Sequence, residues 1–275
     1  MKKLVLLLLP FCTSALAADD WTSEQTPFAL YGNSYYVGSH GLSSVLITSP
    51  SGHILIDGTL EENAAMIAGH VRKLGFRVED IKYILSSHAH SDHAGGIAEL
   101  QRLSGAVVLG GAATLPTLSD GAARSDDPQF GILSDFPAIA NTRGVNDGEV
   151  VRVGPLAVTA HATPGHTAGG TSWTWESCED KRCMKMVYID SLTAYGAKGY
   201  KFTQHPEVVA SLRHSIALVG SLPCDIAVTA HPDAIGLLER LEQHKPLIDG
   251  KACRKLASHA NKKLNHLLAA EKSAE

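Results

Sequence analysis

His88-Ala89-His90-Ser91-Asp92-His93 is the stretch that decides how this chain is read. It follows an apolar segment, Ile81 to Leu85, and runs into Gly95-Gly96, beyond which apolar residues resume from Ile97. The pattern predicts a buried strand over 81–85, a tight loop, a helix over 97–103 and a strand over 106–109, a β-α-β unit. Solvated polar runs rarely follow a buried strand and end in paired glycines, so three histidines and an aspartate within six residues point to a metal. Imidazole nitrogen and carboxylate oxygen are zinc donors. Alternate residues of an extended segment point the same way, so His88 and His90 grip one metal together. Asp92 and His93 lie where the chain turns toward the helix and aim at a second position nearby.

Each pair needs a third ligand. His166, in the loop Pro164 to Gly170, and His231, at the end of an apolar strand over 225–230, are the two suppliers. Three protein ligands per metal leave a place for water, as catalytic zinc sites do. Each of these residues stands just after an apolar strand, and strand ends meeting at one sheet edge are where sites are built. His161 lies inside a predicted strand and is left out. His40, His53, His70, His205, His214, His244, His259 and His266 have no comparable context. Asp57 ends a strand of its own. It is a candidate partner for a ligand histidine, with a plain turn residue as the competing reading.

Working outward, strands are expected over 45–48 and 53–57 about a Ser-Pro-Ser-Gly turn, and a helix over 61–75 with a glycine stop. Further strands are expected over 150–153 and 156–161, a hairpin over 171–176 and 184–189, and a helix over 206–220. Helix is also expected through the last forty or so residues. Residues 18–35 read as an irregular lead-in. Residues 113–145, rich in Gly, Pro, Ser and Asp, read as a long surface loop or flap.

The first 17 residues read as a signal peptide, removed after Ala17. Lys2 and Lys3 precede the apolar run Leu4 to Leu9, and Ala15-Leu16-Ala17 is a small-residue cleavage signal. The remainder, 18–275, is expected to form a single domain in the periplasm or medium. Loss of the two lysines takes the formal charge from −4 to −6, which gives no reason to expect a nucleic-acid partner or an anionic membrane surface. Cys178, Cys183, Cys224 and Cys253 remain after cleavage. An even number in an oxidising compartment suggests two disulfides, with three pairings open. A local staple of Cys178 to Cys183 across a polar loop leaves Cys224 with Cys253.

H-x-H-x-D-H after a strand resembles the signature of the metallo-β-lactamase superfamily. Thr163-Pro-Gly-His-Thr-Ala-Gly-Gly-Thr-Ser-Trp-Thr-Trp175, Tyr188-Ile-Asp-Ser-Leu-Thr193 and Leu222-Pro-Cys-Asp-Ile-Ala-Val-Thr-Ala-His-Pro232 are similar to subclass B3 of that family. The resemblance runs from about residue 21 to about residue 255. It implies an α/β fold, an αββα sandwich with a dimetal site at one edge of the two sheets. It implies two zinc ions, one on His88, His90 and His166, the other on Asp92, His93 and His231. It implies zinc-dependent hydrolysis of the β-lactam ring of penicillins, cephalosporins and carbapenems, hence antibiotic resistance, with Asp92 orienting the nucleophile. Ser191 stands where other lactamases carry a cysteine ligand, and Ser191 and Thr193 are expected to bind the substrate carboxylate. Thioesterases of the superfamily place a metal-bridging aspartate near Asp190, which is kept out of the ligand set here. The Cys224–Cys253 pairing matches a disulfide common in the subclass, and Cys178–Cys183 a bridge of some members. The expected partner is a small-molecule β-lactam met by a monomer, with no nucleic acid and, after signal cleavage, no membrane. A lactonase or thioesterase on the same scaffold is the alternative.

Overall fold

The computed structural model describes residues 20–274, so the expected signal peptide over 1–17 lies outside the described residues. Two sheets form the centre. The first holds β1 (Phe28–Tyr31), β2 (Ser34–Tyr36), β3 (Val45–Ile47), β4 (His53–Ile56), β5 (Ile81–Leu85), β6 (Val107–Gly111) and β7 (Thr142–Val145), in that order. Its first four strands run antiparallel and the last three join in parallel. The second holds β8 (Val150–Val153), β9 (Leu156–Ala162), β10 (Thr171–Glu179), β11 (Arg182–Ile189) and β12 (Ile226–Thr229), with only β11 and β12 parallel.

Strand periodicity sorts the side chains into layers. Val45, Ile47, Ile54, Ile56 and Leu85 face the second sheet and share one core with Val158, Trp173, Met186, Tyr188 and Val228. Their neighbours Leu46, Leu55, Ile84 and Val108 face outward, against Ile67, Val71, Ile97 and Leu100 of the helices Ala64–Lys73 and Ile97–Ser104. On the far side, Val187, Ile189 and Ala227 pack on Leu212, Ile216 and Val219 of Pro206–Ser221 and on Ala257, Ala260 and Leu264 of Ala252–Ser273. The order is therefore helix, sheet, sheet, helix, as the resemblance implies. Among the described residues no helix is long and apolar enough to cross a membrane.

Three expectations need correction. The lead-in over 18–35 contains β1 and most of β2, a hairpin closed by Gly32-Asn33 with Gly32 at φ +51°. The stretch 113–145 contains the helix Leu115–Asp120 and β7. The C-terminal forty residues are two helices, Leu237–Glu242 and Ala252–Ser273, because Pro246 and Gly250 interrupt helical propensity between them. Both disulfides are present, Cys178–Cys183 inside the β10–β11 hairpin and Cys224–Cys253 tying the last helix to the loop before β12.

Candidate metal centre

The run His88 to His93 sits where β5 leaves the sheet. Asp57 Oδ1 accepts from the Ser87 N–H (2.7 Å), turning the chain at the strand end. His90 precedes a single helical turn, Ser91–Ala94, and the Gly58 N–H donates to the His93 carbonyl (2.8 Å). The paired glycines are sterically required. A Cβ on Gly95 would lie 2.7 Å from Glu61 N, and one on Gly96 would collide with the Gly58 carbonyl oxygen. On the other side of this contact Asp57 and Thr59 adopt positive φ (58° and 54°), a costly conformation for a β-branched residue and one that clusters at functional sites. His166 arrives from the β9–β10 loop and His231 from the end of β12.

His88, His90 and His166 are buried, and their donor atoms lie within 4.8 Å of one another. Each ring is held from behind. His88 Nδ1 is 2.7 Å from Asp190 Oδ1, His90 Nε2 is 2.9 Å from Asp127 Oδ2, and His166 Nδ1 is 3.0 Å from both the carbonyl oxygen and Oγ1 of Thr193. A carbonyl only accepts, so His166 Nδ1 carries the hydrogen and Nε2 presents a lone pair. An ionised Asp127 fixes the same logic for His90, leaving Nδ1 without a hydrogen. His88 Nε2 is buried with no hydrogen-bond partner. Three ring nitrogens turned toward one another, two of them facing only the Gln129 amide, are a donor set for a cation.

The second grouping is tighter. Asp92 Oδ2, His93 Nε2 and His231 Nε2 form a triangle with edges of 3.2, 3.2 and 3.3 Å. Donors on a tetrahedral zinc with bonds of about 2.0–2.1 Å stand about 3.3–3.4 Å apart, so the triangle has the size a first-row metal needs. His88 also stands within reach of Asp92 and His93, which makes the two groupings adjacent.

Burial disfavours charge on the first set. It holds the His88 imidazole well below its usual value, helped by the neighbouring His93 and His90. Burial and then His90 push His166 down to about 3, against the Thr193 carbonyl. Burial also pulls on His93, but the charge and hydrogen bond of Asp92, and then Asp57, outweigh it and raise His93. Burial pushes Asp92 upward, yet His93 and His231 overcome it and hold the carboxyl well below the usual range. Burial drives Asp190 well up, opposed by the Ser191 N–H.

All six expected ligands are thus brought together. Asp57 lies behind His93, its Oδ2 3.9 Å from a His93 Nδ1 that has no hydrogen-bond partner. Asp190 stands on the outer nitrogen of His88 rather than among the donors. Ser191 and Thr193 follow β11, and the Thr193 hydroxyl also props His166. His161 is elsewhere, bonded to Thr174 Oγ1 (2.7 Å). Two residues escaped the sequence reading: Asp127, and Gln129, whose Nε2 is 3.5 Å from His90 Nδ1 and 3.4 Å from His166 Nε2. Beside His231 opens a cavity of about 310 Å³, lined in part by Trp21, His40, Pro232 and Leu238.

Residues 37–179 match the family model of the metallo-beta-lactamase superfamily. Among solved structures, the metallo-beta-lactamase SMB-1 is 52% identical, with 92% of this chain and 99% of that chain covered at a TM-score of 0.90. MEM-A1, a subclass B3 metallo-beta-lactamase from a soil metagenome library, is 50% identical over 93% of this chain and 100% of its own, also at 0.90. Among curated proteins, a hydroxyacylglutathione hydrolase of Pseudomonas aeruginosa is 29% identical over 175 residues, 58% of this chain and 56% of that protein. The chain spans about two-fifths to just over half the length of the curated relatives it matches.

Proposed function

Because the chain belongs to the metallo-beta-lactamase superfamily, we propose that it is an exported dizinc enzyme that opens the β-lactam ring of penicillins, cephalosporins and carbapenems. Antibiotic resistance is the consequence. The observation that carries this reading is the 52% identity to a solved metallo-beta-lactamase across nine-tenths of the chain. The paired donor sets support two metals, and the two disulfides support an oxidising compartment.

His88, His90 and His166 would hold one zinc, and Asp92, His93 and His231 the other. Zinc, when bound, lowers the pKa of water toward neutrality and polarises a carbonyl oxygen. The protein's part is orientation. Asp127 and Thr193 fix the ring tautomers of His90 and His166, and Asp190 fixes the orientation of His88, so the first set needs little rearrangement on binding. Asp92, held ionised by its neighbours, accepts a hydrogen bond from the attacking water and sets its direction. Thr193 Oγ1 accepts from His166 Nδ1–H, which leaves its own proton to donate to the substrate carboxylate beside Ser191. Exposed Phe130, Ile132 and Tyr195 lie on the loops that carry Gln129 and Thr193 and offer apolar surface to ring substituents.

A thioesterase is the second reading, favoured by the likeness to a hydroxyacylglutathione hydrolase. One panel separates them: a penicillin, a cephalosporin, a carbapenem and a glutathione thioester, each with and without a chelator. Rapid chelator-sensitive loss of the β-lactams with slow thioester turnover is expected. Thioester cleavage by zinc-loaded protein that leaves every β-lactam intact would sink the lactamase reading.

A further inference from the structure

His93 and His231 reach the second donor triangle from segments far apart in sequence, the turn after β5 and the end of β12. Both segments converge on one buried hydroxyl. Tyr188 lies on β11, next to β12, and is fully buried between the sheets. Its hydroxyl crosses to the first sheet, 2.8 Å from Asp57 Oδ2 and 3.0 Å from the Ser43 carbonyl oxygen. Asp57 Oδ2 faces His93 Nδ1. The Ser43 N–H donates to the carbonyl of Ala230, the residue before His231 (2.9 Å). Ser44 Oγ closes the knot on the Asp57 carbonyl (2.7 Å).

We infer that Tyr188 is a positioning residue for the second metal, acting through Asp57 on His93 and through Ser43 and Ala230 on His231. The inference rests on the two-metal reading above. The hydroxyl, not the ring, carries the role. A phenylalanine fills the same volume in the inter-sheet core but removes the one O–H proton shared by the Ser43 carbonyl and Asp57 Oδ2, where water is scarce. The Ser43 carbonyl then regains a partner by moving, and Ser43 is one bond from the segment that carries His231. Asp57 Oδ2 keeps the Ser87 hydroxyl but loses its tie to Tyr188, so the carboxylate that faces His93 is free to shift. The first donor set is propped by Asp190, Asp127 and Thr193 instead. Ser87 touches both networks, donating its N–H to Asp57 Oδ1 (2.7 Å) and its hydroxyl to Asp57 Oδ2 (2.6 Å) and lying 3.3 Å from His88 Nδ1; the Oδ1 bond does not involve Tyr188, so the first metal should feel a small effect.

The test is a zinc titration of the metal-free protein against a chromophoric chelator, resolving two stepwise constants, for the parent, Tyr188→Phe and Asp190→Asn. Tyr188→Phe is expected to weaken the second constant about 10- to 100-fold while moving the first by less than about threefold. Asp190→Asn should give the opposite pattern. Cobalt loading supplies an independent signature, since the visible band of the second equivalent should shift in Tyr188→Phe and that of the first should not. If Tyr188→Phe does not fold, Asp57→Asn must show the same selective loss. If both variants fold, the double variant should lose no more than the larger single effect. Equal weakening of both constants, or no weakening, overturns the inference. A parent that binds one zinc overturns the two-metal reading itself, whereas two zincs with an unmoved second constant overturn only the role of Tyr188.

Discussion

The two donor sets are neighbours built to different standards. In the first, His88, His90 and His166 are at most 7% exposed and every outward ring nitrogen is bonded. In the second, the His231 side chain is 29% exposed and that of Asp92 15%, while His93 Nδ1 has only Asp57 at 3.9 Å behind it. A ring bonded on its outer side is already in its binding orientation, so little ordering is left for the metal to impose. The first set is therefore the durable one, and the second should bind more weakly and give up its ion first.

The largest effect belongs to His88→Ala, because His88 is a donor of the first set and also stands within reach of Asp92 and His93. The first zinc should be lost and hydrolysis should drop below about one-thousandth of the parent rate. A variant that keeps two full equivalents of zinc would break the comparison, since the first set would then hold its ion without His88. Asp92→Ala comes next. It should take the content from two zincs toward one, and unchanged stoichiometry would contradict the assignment of Asp92 to the second set. Gly170→Ala should act on the first set, because its Cβ would collide with Asp190 Oδ2 and displace the carboxylate behind His88. The first constant should fall by about tenfold or more.

The contrast also marks what could be read from the chain. Every donor lies at a strand end, and strand ends are local patterns: an apolar run, then a polar or glycine-rich break. That is why His88 to His93, His166 and His231 are legible in the sequence. The props are another matter. Asp127 and Gln129 approach His90 from 37 and 39 residues further along the sequence, with no periodicity to announce the contact. In the sequence Asp190 raises only a ligand question, since a sequence shows that an aspartate follows a strand but not which ring nitrogen it meets. β1 and β2 were missed for a different reason. Phe28 to Tyr31 and Ser34 to Tyr36 flank Gly32-Asn33, a two-residue hairpin signal that was present but read as irregular.

Acid should separate the two sets. Proton and metal compete for the same nitrogen. Burial and then His90 push His166 down to about 3, and His88 is also held low, so neither ring carries a proton to displace at neutral pH. His93 is raised above its usual value by Asp92 and Asp57 despite burial, so it takes up a proton sooner as pH falls. As pH falls from above the usual histidine range to below it, the protein should lose one zinc and retain the other. Zinc content after equilibration at each pH checks this. Simultaneous loss of both would mean that the pairing of His93 with Asp92 does not distinguish the sites.

The smallest effect tests the exposed end of the second set. The Trp21 ring lies 5.5 Å from that of His231, tilted by 50°, and its carbonyl accepts from Asn63 Nδ2 (2.8 Å), so it is anchored rather than draped. With the His93 ring on the inner side, it limits where the His231 ring can swing. Aromatic contacts of this kind contribute about 0.5–1.5 kcal/mol, or about two- to twelvefold in a binding constant. Trp21→Ala should weaken the second zinc by that factor, leave the first alone, and raise KM more than it lowers kcat, because Trp21 also lines the cavity beside His231. An equal loss at both zincs would show that the two sets share their rigidity, and the contrast between a braced and a loose half would then fail at its weakest member.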